Sequence, residues 1–106
     1  MLDKHTIRRV VAEVARRNGA HKAILFGSYA RGTATAHSDV DLLFVEPTKL
    51  PFLSRIDRYF DPLIDQLKTG VELFVYTPAE FDRMAQSGFV AQAVREGIVL
   101  YESGEI

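Results

Sequence analysis

The sequence predicts an α/β (α+β) domain in which helices flank one small mixed sheet of three to four strands, and three observations predict it. Apolar residues recur at helical spacing in two stretches, Ile7-Val10-Val11-Val14 and Leu53-Ile56-Phe60-Leu63-Ile64-Leu67. Short apolar runs, Ala23–Phe26, Val40–Val45 and Val71–Tyr76, are too brief for helices and read as strands. Thr77-Pro78-Ala79-Glu80 starts a further helix with a capping box and a proline at its first position. The 106 residues, 47% hydrophobic and 25% charged, suffice for one core, so residues 1–106 are expected to form a single domain.

Taken in order, the first helix carries Ile7, Val10, Val11 and Val14 and ends at Gly19, where a left-handed residue would close it. Ala23–Phe26 follows as a buried strand, then a short helix from Tyr29 to about Gly32. Val40–Val45 is apolar and β-branched apart from Asp41, and Glu46-Pro47 closes it. Pro62 interrupts the next helical pattern. Asp61 can cap a fresh helix with Pro62 at its first position, so two short helices with a bend are expected, the second ending at Gly70. After Val71–Tyr76 and the capping box, a helical break is expected near Gly88 and a helix end at Gly97. Ile98–Tyr101 reads as a short final strand.

Composition narrows the function. No apolar run approaches the roughly 18 residues of a membrane span, and no signal peptide is visible, so a cytoplasmic protein without a membrane partner is expected. Cysteine is absent, which removes disulfides and thiolate metal sites. The net charge of −1 argues against a globally basic nucleic-acid binder. Residues 1–22 nevertheless hold Lys4, Arg8, Arg9, Arg16, Arg17 and Lys22 against Asp3 and Glu13. That basic face of the first helix reads either as a solvated surface or as a stripe that steers an acidic partner.

The stretch Gly27-Ser28-Tyr29-Ala30-Arg31 to Asp39-Val40-Asp41 carries the chemistry. Asp39 and Asp41, two apart on a strand, project from one face roughly 6.5–7 Å apart. Two carboxylates that close repel each other and lose hydration beside an apolar core. A hard divalent cation removes both penalties, and oxygen-only ligands favour magnesium or manganese. Gly27-Ser28 stands where the first strand yields to the short helix, so its backbone N–H groups, the Ser28 hydroxyl and the Arg31 charge together suit a phosphate. A P-loop is excluded, because Thr33-Ala34 stands where Lys-Ser or Lys-Thr is needed. His37 is a lone turn histidine and reads as a surface residue; His5 and His21 carry no argument.

Gly27-Ser28, ten intervening residues and then Asp39-Val40-Asp41 resembles the signature of the DNA polymerase β-like nucleotidyltransferases, and most closely their minimal members, many of which are MntA-type antitoxins. The likeness in element order extends from about residue 5 to residue 101. The resemblance implies a polymerase β-like fold, with Gly27 and Ser28 binding the nucleotide, joined by the Arg31 charge noted above, and Asp39 and Asp41 ligating magnesium, two ions per site. A third carboxylate is implied on a neighbouring strand, usually an aspartate. The residue in that place is Glu72 of Val71-Glu72-Leu73, a departure that bears on metal geometry and rate. The implied reaction moves a nucleoside monophosphate, AMP from ATP, onto a hydroxyl and releases pyrophosphate. With no room here for an acceptor-shaping domain, the acceptor is expected on a separate protein. In the minimal family that is a HEPN-domain toxin modified on tyrosine, which makes this chain an antitoxin in a homo- or hetero-oligomer. The alternative is a non-catalytic module that neutralises its partner by contact.

Overall fold

The computed structural model describes residues 2–104. Its elements are helix α1 (Lys4–Asn18), strand β1 (Lys22–Phe26), helix α2 (Gly27–Arg31) and strand β2 (Val40–Val45), then a 3₁₀ turn (Phe52–Arg55) and helix α3 (Asp57–Leu67). Strand β3 (Val71–Tyr76), helices α4 (Pro78–Met84) and α5 (Gly88–Glu96) and strand β4 (Ile98–Glu102) complete it. The four strands lie in the order β3-β2-β1-β4, with β2 and β3 parallel and both β1 pairings antiparallel. The expected mixed sheet is therefore present, with all four strands.

Strand alternation builds two apolar layers. Val40, Leu42 and Phe44 of β2 face α1 and α3, where they pack with Ile7, Val11, Leu63 and Tyr59. Leu43 and Val45 face the other way, with Phe26, Tyr76, Val90 and Ala93. Asp41 takes the position of this second set nearest the start of β2. A carboxylate thus stands where the pattern calls for an apolar side chain.

The local signals explain most of the boundaries. Asp3 caps α1 by accepting from the Thr6 N–H, and Gly19 closes it at φ 76°. Thr77 and Glu80 form both bonds of the capping box that opens α4. Two expectations need correction. Helix α3 runs unbroken through Pro62, and Asp61 lies within it rather than capping a new helix. Proline leaves the carbonyl four residues earlier without its usual N–H partner. That carbonyl, Arg58 O, instead accepts from the Asn18 side-chain amide of α1 at 3.4 Å. A 3₁₀ turn precedes α3, and Ile56 between them keeps helical dihedrals (φ −69°, ψ −37°). Helix α3 ends on Lys68 in the left-handed conformation (φ 58°), not at Gly70.

The basic stripe of α1 is partly neutralised, since Glu13 pairs with both Arg16 and Arg17. Helix α1 also packs on the sheet face opposite the one carrying Asp41. The solvated-surface reading of those arginines is the one that this placement supports.

Two buried polar clusters stabilise the frame around the sheet. Glu46, 4% exposed, accepts from the Tyr59 hydroxyl and, at 2.6 Å, from Arg58. Arg55, 6% exposed, donates to the Val75 carbonyl at 3.0 Å and to Glu80 at 2.7 Å, which ties the 3₁₀ turn to β3 and α4. Each buried charge is paired and hydrogen-bonded, the condition under which burial is tolerated.

Candidate active site

The site forms where three adjacent strands meet the head of α2. Asp41 lies opposite Phe26 of β1 on one side and opposite Glu72 of β3 on the other. Because β2 and β3 are parallel neighbours, roughly 4.8 Å separates paired positions. Asp41 and Glu72 therefore project side by side from one sheet face. Asp39 lies just before β2 rather than on the strand as expected, and is exposed.

Two glycines make room for the two aspartates. At the end of β1 the chain turns into α2 through Gly27 at φ 74°, and a methyl group there would overlap an Asp41 carboxylate oxygen. A methyl at Gly70 would likewise overlap an Asp39 oxygen. Asp41 thus leans towards the Gly27–Ser28 turn and Asp39 towards the loop before β3.

The electrostatics follow from this crowding. Burial, then the charge of Glu72, then that of Asp39 push the Asp41 carboxyl up from 3.8 to about 6; Arg31 pulls the other way. Arg31 itself is paired at 3.1 Å with Glu96, at the end of α5. The same Glu96 oxygen accepts from the Gly27 N–H at 3.3 Å. Two of the groups expected to meet phosphate, the Gly27 N–H and the Arg31 guanidinium, are thus engaged by a carboxylate of the chain itself.

The donor set suits a hard cation, since Asp39, Asp41 and Glu72 offer only carboxylate oxygens. Among the described residues no three carboxylates or imidazoles close into a cage on their own. Magnesium is commonly held by one or two carboxylates together with substrate phosphates, so an open protein set fits it. A cation would also relieve the repulsion that raises Asp41.

The residues read from the sequence thus occupy one region: Gly27, Ser28 and Arg31 on α2, Asp41 on β2, Asp39 just before it, and Glu72 on β3. Sequence reasoning missed the wall contributed by α5. Phe89, Gln92, Ala93 and Glu96 line the same cleft as Gly27, Arg31 and Asp41. Their i, i+3, i+4, i+7 spacing is visible in the sequence, but no motif there ties that face to Asp41.

A family model described as "Nucleotidyltransferase domain" matches residues 7–100. The chain belongs to this nucleotidyltransferase family. Within it, a Methanocaldococcus jannaschii protein named as a candidate protein adenylyltransferase is 38% identical over 87 residues, 76% of this chain and 77% of that protein. Two solved structures share the nucleotidyltransferase fold. One is a toxin–antitoxin complex with AMP-PNP, with a TM-score of 0.68 and 22% identity over 92% of this chain and 74% of that one. The other is a tri-AMPylated Shewanella oneidensis HEPN toxin in complex with an MNT antitoxin, with a TM-score of 0.59 and 20% identity over 91% of this chain and 70% of that one. Among the described residues no helix is long and apolar enough to cross a membrane.

Proposed function

We propose that this nucleotidyltransferase transfers AMP from ATP to a tyrosine hydroxyl of a HEPN-domain partner, with magnesium, and so acts as an antitoxin. The observation that carries the reading is Asp41 beside Glu72 on paired strands, at the mouth of the Gly27–Ser28 turn. Kinship supports the protein acceptor: the relative named as a candidate protein adenylyltransferase, and the shared fold of an antitoxin bound to an AMPylated HEPN toxin.

In this reading Ser28 and the head of α2 bind the phosphates, and Arg31 exchanges Glu96 for a phosphate oxygen. Asp39, Asp41 and Glu72 would hold magnesium or manganese, as one ion or two. When bound, the metal supplies charge neutralisation on the phosphates and lowers the pKa of the attacking hydroxyl. The tyrosine oxygen forms its bond to the α-phosphorus as the bond to the departing pyrophosphate breaks. Glu72, exposed at the edge of the carboxylate pair, receives the hydroxyl proton.

Pyrophosphate release is the direct test. It is expected only when this chain, ATP, magnesium and a HEPN-domain toxin are combined. Neutralisation of that protein with no pyrophosphate released would replace the transferase reading with the contact-only module.

A further inference from the structure

Helix α5 presents a graded surface to the cleft. Phe89, Gln92, Ala93 and Glu96 share one helical face, and with Gly27 and Asp41 opposite they enclose about 240 Å³. At the C-terminal end of that face Glu96 meets the Gly27 N–H and Arg31. Phe89 lies two turns back, roughly 10 Å along the helix axis. The cleft thus has a charged end and an aromatic end set apart along α5, an order that matches the triphosphate and the base of a nucleotide.

Phe89 is 47% exposed, yet it is not a loose surface side chain. Its ring stands at 79° to Phe26 with centroids 5.4 Å apart, and at 64° to Phe74 with centroids 5.2 Å apart. Two rings rooted in β1 and β3 thus fix its plane, while nearly half of the residue faces out. An aromatic side chain so oriented is preorganised for a flat apolar ligand and loses little freedom on binding one.

Building on the nucleotidyl-transfer reading above, we infer that Phe89 is the seat of the nucleobase, which stacks on it while the triphosphate lies at the Gly27–Ser28 end. Gln92, one turn along the same face, is exposed and offers both a donor and an acceptor to the base edge or the ribose hydroxyls. Because every base has a π-face, stacking tolerates all four; the larger purine ring covers more of the phenyl, so ATP and GTP bind ahead of CTP and UTP.

The test compares ATP with inorganic tripolyphosphate, both with magnesium, by calorimetry on the full chain. Phe89→Ala is expected to weaken ATP about tenfold and to leave tripolyphosphate unchanged. Phe89→Leu keeps apolar volume against Phe26 and Phe74 and guards against a folding artefact; it should show the same selective loss. The chain contains no tryptophan, so Phe89→Trp supplies a single reporter. Its fluorescence should change on adding ATP and not on adding tripolyphosphate. Equal weakening of both ligands, or of neither, overturns the inference. So does unchanged ATP binding with slowed transfer, which would assign the ring to the acceptor tyrosine. Failure of the parent protein to bind either ligand would instead remove the nucleotide reading itself.

Discussion

Asp41 stands directly opposite Glu72 across the parallel strands β2 and β3, inside a sheet face otherwise built from apolar side chains. Charge placed there works against folding. Substituting Asp41→Asn removes the repulsion while keeping the shape, so the metal-free protein should gain on the order of 1 kcal/mol at neutral pH, once solvent screening is allowed for. Magnesium-dependent ATP binding should fall sharply in the same variant. Chemical denaturation and calorimetry read the two effects separately; a less stable variant, or one that binds ATP as the parent does, would contradict this trade-off.

The same carboxyl sets a pH window. Its folded-state pKa is raised from 3.8 to about 6, so the folded protein holds this proton more tightly than the unfolded chain does. The associated stability is fully present below about 3.8 and is lost as pH rises through about 6. Cation binding requires the charged form, so magnesium-dependent nucleotide affinity should climb over that upper limb. Asp41→Asn should flatten this contribution to both profiles.

Gly27 offers a sharper test of close approach. Gly27→Ala forces a left-handed residue, at roughly 1–2 kcal/mol, and drives a methyl into the Asp41 carboxylate. Gly19→Ala imposes the same left-handed conformation in open space. Both should destabilise the fold. Only Gly27→Ala should also abolish nucleotide binding at temperatures where both variants remain folded.

The frame carries its own acid sensitivity. Hydrogen bonds from Arg55 and then from the Thr77 backbone hold the Glu80 carboxyl down, from 4.5 to about 2. The stability it contributes is present above about 4.5 and is lost as pH falls towards 2. Glu80→Ala leaves Arg55 buried without its carboxylate and removes half of a capping box, so a loss of about 3 kcal/mol is expected. Glu80→Gln should recover part of it, because the amide oxygen still accepts. Thermal unfolding at pH 7 measures both.

Much of the fold was legible because its signals are local. The β-branched runs at Val40–Val45 and Val71–Tyr76 became strands with those same limits, and the Thr77–Glu80 box opened a helix where it stood. The misses depend on distant partners. Pro62 reads as a helix break until the Asn18 amide, 40 residues before Arg58 in the chain, arrives to satisfy the Arg58 carbonyl. Lys68 gave no sign of adopting a left-handed conformation, while Gly70 did, although its smallness serves Asp39 instead. The site divides in the same way. Gly27, Ser28, Asp39 and Asp41 form a contiguous motif, and Glu72 needed only a neighbouring strand. The α5 wall was invisible because Glu96 reaches Gly27 across 69 residues of sequence, and no spacing encodes that.

Glu72 decides most directly whether this site performs transfer. Glu72→Gln keeps Gly27, Ser28, Asp39 and Asp41 in place, so ATP binding should persist, while the proposed proton acceptor and third carboxylate are removed. The decisive measurement is intact-mass spectrometry of a HEPN-domain partner protein after incubation with ATP, magnesium and either parent or variant. AMP on a tyrosine is expected with the parent, and a loss of at least a hundredfold in rate with Glu72→Gln, the scale of a general base removed. Undiminished AMP transfer by Glu72→Gln, or an unmodified HEPN protein with the parent, would rule out transfer at this site by the proposed route.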